Sequence, residues 1–164
     1  MAAMKLDPHS EAKLAQVHPE LASKVRQLAE MLHLEGIEFR VTQGLRTWAE
    51  QAKLYAQGRT APGKRVTDAE PGESWHNFGL AIDLAPDDPK LPGYQPDWNA
   101  KHPAWKRLVA VGESLGLRSG KAWNDLPHFE LTGRWGTKPD QEVLQLFEGG
   151  GIAAIWAEVS GTSV

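Results

Sequence analysis

The 164-residue chain has no cysteine, which excludes disulfides, thiolate zinc sites, iron–sulfur clusters and a cysteine nucleophile in one step. Any metal site must therefore use His, Asp or Glu. Nowhere is there a run of about 18 apolar residues, so no membrane insertion is expected. The start, MAAMKLDPHSEAKL, also lacks the apolar stretch of a signal peptide, and synthesis in the cytoplasm without an export signal is the matching expectation. An excess of positive charge is missing as well. The formal net charge of −3 argues against broad binding to DNA, RNA or an anionic membrane. P-loop, dinucleotide-binding and calcium-loop patterns are absent.

What is present suits an enzyme-sized globule. Hydrophobic residues make up 41% and charged residues 24%, enough to bury a core, and the length favours one compact domain. We read residues 1–18 as an N-terminal extension, 19–159 as a single domain and 160–164 as a frayed tail. Two counts stand out for this length, 7 Trp and 6 His.

Apolar residues at Leu21, Val25, Leu28, Ala29 and Leu32 recur at helical spacing from Pro19 to Leu34, with Gly36 as the stop. Ile37 to Leu45 alternates partially and reads as a strand. Thr47 and Glu50 then form a capping-box pattern that opens a helix to about Gln57, which sets Arg46 at a strand-to-helix corner. Arg59 to Glu73 is a long loop of Pro, Gly and charges, a length more typical of a functional rim than of a connector. From Phe78 to Leu84 the pattern alternates, with Leu80, Ile82 and Leu84 on one face and Gly79, Ala81 and Asp83 on the other. Ala85 to Pro103 is a second loop, followed by a helix through Trp105, Leu108 and Val109 to Leu115. Leu117-Arg118 and His128 to Leu131 are short strands, the latter carrying His128 and Glu130 on one face. Pro139–Phe147 and Ile152–Val159 read as two helical segments separated by Gly149-Gly150-Gly151. Helices mixed with strands in no regular βαβ rhythm imply an α+β fold with a small, mostly antiparallel sheet flanked by helices.

Chemistry concentrates in SWHNFGLAID (74–83) and DLPHFE (125–130). Two imidazoles and one carboxylate make a three-ligand zinc set with a fourth position open, the arrangement of a catalytic site. Such a Lewis acid activates water and polarises a carbonyl, as amide hydrolysis requires. His76 and Asp83 can converge across the Asn77-Phe78-Gly79 turn if His128 arrives from an adjacent strand. Asp125, three residues before His128, can then accept and return a proton. Spacing alone leaves plainer roles open. A histidine in a chain with six is more often a surface or hydrogen-bonded core residue, Asp83 is equally a strand-end polar group, and Asp125 suits a turn before Pro127. Glu130 fits a group that orients a ligand imidazole as well as it fits a strand-end charge. Trp75, Trp123 and Trp135 are candidates for a groove, with the core favoured for at least two of them.

SWHNFGLAIDL resembles the Ser-x-His-x-x-Gly-x-Ala-x-Asp signature of the zinc D-Ala-D-Ala/L-Ala-D-Glu peptidases, the VanY- and VanX-like enzymes that cleave bacterial cell-wall peptides. NDLPHFEL is similar to that family's acid-x-x-His motif, and Gln43-Gly44-Leu45-Arg46-Thr47 matches the position of its active-site arginine. The resemblance covers about residues 20–135, with the three motifs in order. It implies a hedgehog/D-Ala-D-Ala-peptidase-like fold and zinc held by His76, Asp83 and His128. It further implies Asp125 as general base and acid, Arg46 as stabiliser of the oxyanion, and Ser74 as a substrate-positioning group. Asp rather than Glu at 125, the loop sequence and the missing export signal look most like phage endolysins that cut the L-alanyl-D-glutamate bond. Such an enzyme, expected to be a monomer, is made in the host cytoplasm and acts on the wall after release.

Between Arg40 and Arg65 six basic residues face one acid, Glu50. Arg59, Lys64 or Arg65 is thus a candidate contact for the D-glutamate carboxylate of the stem peptide, against the plainer reading of solvated charges. Two alternatives remain at this point. One is a D-alanyl-D-alanine carboxypeptidase or dipeptidase, and the other a non-catalytic, zinc-stabilised wall-binding module. His9, His18, His33 and His102 carry no assigned chemistry.

Overall fold

The structure, a computed structural model, describes residues 6–161. Five α-helices, two short 3₁₀ turns and four strands follow one another along these residues. The chain falls into two compact units, one formed by the chain up to Gly44 with Ala81–Leu131, the other by Leu45–Leu80 and the chain from Thr132 onward.

The first unit holds a four-stranded sheet in the order β1-β2-β4-β3, from β1 (Phe39–Gln43), β2 (Ala81–Pro86), β3 (Arg118–Gly120) and β4 (Asp125–Glu130). Every neighbouring pair is antiparallel. Period-two alternation divides the two central strands. Ile82 and Leu84 of β2 and Phe129 of β4 join a core supplied by α2 (Pro19–Leu34) and α4 (Pro103–Ser114). Helix α2 contributes Leu21, Val25, Leu28 and Leu32, the stripe read from the sequence, and α4 contributes Trp105, Leu108 and Val109. Gly112 lets α4 approach closely, because a Cβ there would stand 2.6 Å from the Phe129 ring.

An additional helix, α1 (Pro8–Leu14), lies within the segment read as an extension. Asp7 caps it, Pro8 opens it, and Leu14 is buried in the core with Leu6 and Val17. The Ser10 hydroxyl accepts a hydrogen bond from the Val41 N–H at 2.9 Å, tying α1 to β1. Of the expected tail, Ser160 caps the last helix, and 162–164 lie outside the described residues.

The second unit combines a cluster of aromatic rings with the fully buried Leu80, Val143 and Ile155. It contains α3 (Trp48–Ala56), entered through the Thr47/Glu50 capping box, and α5 (Gln141–Val159). Trp48 stacks on Phe147 at 5.4 Å between ring centroids, and Phe78 meets Trp48, Trp75 and Phe147 edge-on. The indole N–H groups of Trp75 and Trp156 donate to the carbonyls of Gly136 and Phe78 at 3.0 and 2.7 Å. The tryptophan excess therefore has a structural use, with Trp75 and Trp135 buried. Helix α5 runs through Gly149 and Gly150 and breaks only at Gly151, whose φ of 67° and ψ of −162° no helix accommodates. No helix among the described residues is long and apolar enough to cross a membrane.

Candidate active site

In the first unit, the antiparallel register sets Asp83 of β2 directly across from His128 of β4, on the face opposite the helix-packed core. His128 Nδ1 lies 3.6 Å from Asp83 Oδ1, and its Nε2 lies 2.7 Å from Glu130 Oε2. Glu130 is buried, and its other oxygen accepts from Arg118 Nη1 at 2.7 Å. Burial alone would push the His128 imidazole down, but its contacts with Asp83 and Glu130 outweigh that and raise it to about 9. Positive charge is favoured at this point, whether carried by a proton or by a cation in its place.

Asp125 opens β4 and is exposed, at the end of a turn whose Asn124 adopts the left-handed conformation at φ 60°. Gly120 pairs with Asp125 across the hairpin, and a Cβ on Gly120 would stand only 2.2 Å from the Asp125 carbonyl oxygen. The hairpin closes this tightly because position 120 has no side chain. Trp123, on the same turn, is 42% exposed and holds its ring 5.7 Å from the His128 imidazole. It is the one of the three tryptophans considered for a groove that the core does not take.

In the second unit, the Ser74 hydroxyl accepts from the His76 N–H at 3.3 Å and caps the 3₁₀ turn Trp75–Phe78. Gly79 ends that turn at φ 68°, so the chain reverses before entering β2. His76 is buried, and its carbonyl accepts from the Arg46 N–H at 2.9 Å. Asn77 Nδ2 donates to the Arg46 carbonyl at 3.1 Å, so the main chain at Arg46 is clasped from both sides. The Arg46 guanidinium donates through Nη1 to Gln51 Oε1 at 2.9 Å, and Gln51 Nε2 donates to the Ala69 carbonyl at 2.8 Å. Gln51 is the sole buried residue of α3. Neither Gln51 nor Asn77 was singled out by the sequence. The available signal was a polar residue at the inward position of an otherwise amphipathic helix.

The loop after α3 is organised by Arg59. Its guanidinium donates to the Tyr55 and Thr67 carbonyls and to Asp68, and lies over the Tyr55 ring at 3.8 Å. Lys64 and Arg65 project from the same loop as exposed residues.

His76, Asp83 and His128 each offer a ligand atom within 4.8 Å of the other two. Two imidazoles and a carboxylate without thiolate fit a zinc ion with one position left open. The engagement of His128 Nε2 by Glu130 leaves Nδ1 as the nitrogen on the Asp83 side.

A family model described as VanY, D-alanyl-D-alanine carboxypeptidase, matches residues 14–120. That range includes Arg46, Ser74, His76 and Asp83 and stops short of Asp125 and His128. The chain is 36% identical over 127 residues to the peptidoglycan L-alanyl-D-glutamate endopeptidase CwlK of Bacillus subtilis, covering 71% of this chain and 74% of that protein. It is 35% identical over 125 residues to the L-alanyl-D-glutamate peptidase of Escherichia phage T5, covering 73% and 82%. Among solved structures, the L-Ala D-Glu endopeptidase ChiX of Serratia marcescens matches with a TM-score of 0.54 at 24% identity, covering 79% of this chain and 91% of that one. The LD-carboxypeptidase LdcB matches at 0.55 and 15% identity, covering 95% and 73%. These two likenesses show that the α+β fold expected from the sequence is the one the chain adopts.

Proposed function

The chain belongs to the VanY D-alanyl-D-alanine carboxypeptidase family, and from that premise we propose that it is a zinc-dependent peptidoglycan peptidase that hydrolyses the L-alanyl-D-glutamate bond of the stem peptide. The observation that carries the reading is the His76, Asp83 and His128 group, a three-ligand set suited to catalytic zinc. The bond is assigned from the names of the Bacillus subtilis and phage T5 relatives. The phage source of that relative supports a lysin, and we propose that it acts as a monomer on the wall after release from the cytoplasm.

Zinc held by these residues would supply a Lewis acid that activates water and polarises the scissile carbonyl. Asp125 takes the proton from the attacking water and returns it to the departing amine of D-glutamate, so the carboxyl group ends the cycle as it began. The Arg46 guanidinium stabilises the negative charge that develops on the L-alanine carbonyl oxygen, and Gln51 limits its motion. Ser74 aids substrate positioning through the turn that it caps. Of the basic loop residues, Lys64 and Arg65 are free of the bonds that occupy Arg59, so they bear most of the contact with the D-glutamate carboxylate.

Digestion of purified sacculi followed by mass spectrometry tests this reading. A new N-terminal D-glutamate supports it. Release of D-alanine alone would move the activity to the carboxypeptidase reaction for which the family is named. Zinc-loaded protein that binds sacculi and releases nothing would make it a wall-binding module. Asp125→Ala should keep its zinc and lose about 10²- to 10⁴-fold in rate.

A further inference from the structure

Glu130 is 1% exposed, and a carboxylate is costly to bury unless charged or strongly polar donors meet both of its oxygens. Both are met here. Oε1 accepts from Arg118 Nη1 at 2.7 Å and Oε2 lies 2.7 Å from His128 Nε2. The sheet register produces this arrangement. Arg118 of β3 stands opposite Glu130 on one side, and Ala81 of β2 stands opposite on the other, its methyl leaving room for the carboxyl group. A neutral imidazole has one N–H. If Nε2 carries it and donates to Glu130, Nδ1 is left with its lone pair on the side of Asp83 Oδ1, 3.6 Å away.

We propose that Glu130, braced by Arg118, is a positioning residue of the metal site, committing His128 to the Nε2-protonated tautomer and aiming its Nδ1 at the metal. The inference rests on the zinc reading of His76, Asp83 and His128. It adds that Arg118-Glu130-His128 acts as a three-part strut in which the arginine fixes one carboxylate oxygen so that the other holds the ring. The role differs from that of a strand-end charge, which would sit in water and leave the ring free to flip.

The test uses the full chain and zinc alone as ligand. Zinc affinity is measured by competition with a chromogenic chelator for the wild type, Glu130→Gln, Glu130→Ala and Arg118→Gln. The ring tautomer of His128 is read in the zinc-loaded wild type by long-range ¹H–¹⁵N NMR. We expect Nε2 protonated and Nδ1 bound to metal. Glu130→Ala should weaken zinc binding by roughly 10- to 100-fold, with Glu130→Gln and Arg118→Gln intermediate. Should Glu130→Ala fail to fold, the nearly isosteric Glu130→Gln and the wild-type ring still decide. Unchanged zinc affinity in Glu130→Gln, with only the melting temperature of the metal-free protein lowered, would make Glu130 purely structural and overturn the inference. So would a loaded wild type with the proton on Nδ1. A wild type that takes up no zinc would instead overturn the metal reading on which both depend.

Discussion

Replacing Gly120 by alanine tests whether the β3–β4 hairpin sets the position of Asp125. Gly120 has φ −81°, a conformation open to any residue, so its requirement is for space rather than backbone freedom. An alanine Cβ would stand 2.2 Å from the Asp125 carbonyl oxygen and 3.0 Å from the Cβ atoms of Asp125 and His128. Carbon and oxygen in close contact stay about 3.3 Å apart, so the strands must separate by about 1 Å. None of these atoms is the far end of a flexible side chain, so the main chain must move. Overpacking of this kind costs about 1–3 kcal/mol, and each kcal/mol lowers the melting temperature by about 2–4 °C at this chain length. A misplacement of about 1 Å at a reacting group costs about 10²-fold in rate. Gly120→Ala should therefore lose far more activity in a sacculus-clearing assay, run well below its melting temperature with zinc content measured, than its stability loss explains. Gly149→Ala serves as control, since its Cβ meets nothing within 4 Å and its helical setting favours alanine by up to about 1 kcal/mol. Wild-type rate and melting temperature in Gly120→Ala would refute the claim that this close approach positions the carboxylate.

Gln51→Ala removes the amide between Arg46 and the Ala69 carbonyl, and we expect kcat to fall about tenfold with KM little changed, a loss of about 1.4 kcal/mol in transition-state stabilisation. A change confined to KM, read from steady-state kinetics on a soluble muropeptide, would contradict that role. Asp7 supplies a pH dependence. Burial alone would raise its carboxyl, but hydrogen bonds from Ser10 and the charge of Arg40 outweigh that and hold it below its ordinary 3.8. A carboxyl depressed in the folded state contributes stability above its unfolded value and loses it as pH falls through the folded one. Asp7→Ala should thus cost about 1 kcal/mol at pH 7 as a lost helix cap, with the gap to wild type closing below pH 3.8 in urea melts. A gap unchanged at pH 2.5 would count against the assignment.

Local signals were legible wherever one segment carried its own evidence. The stripe of α2, the Thr47/Glu50 capping box and the alternation ending in Asp83 each name an element within its own residues. Helix α1 escaped because only Leu14 within it faces the core, and one apolar residue makes no period. Gly149-Gly150-Gly151 suggested a wide break, yet only Gly151 leaves the helical region, since glycine permits the break without requiring it. At the candidate site, the faces of His128 and Glu130 followed from alternation. The partnership of Glu130 with Arg118 depends on the β3–β4 register, which spacing does not reveal. Gln51 shows the same limit, because its partner carbonyl at Ala69 comes from a loop without periodicity.

The sheet order also bears on how the chain finds its fold. Of the three strand pairs, β3–β4 alone is local, joined by the short turn through Trp123 and Asn124. β1 and β2 pair across residues 44–80, and β2 and β4 across residues 87–124. The hairpin bearing Asp125, His128 and Glu130 can therefore form early, whereas Asp83 joins it only after a long loop has closed. Loop-closure entropy grows only logarithmically, about 0.6 kcal/mol for each doubling of length. Residues 59–73, the non-helical loop within the first of these connections, can thus lengthen or shorten over generations at small thermodynamic cost. The loop that presents Lys64 and Arg65 is free to diversify toward new wall chemistries while β1 and β2 keep their register.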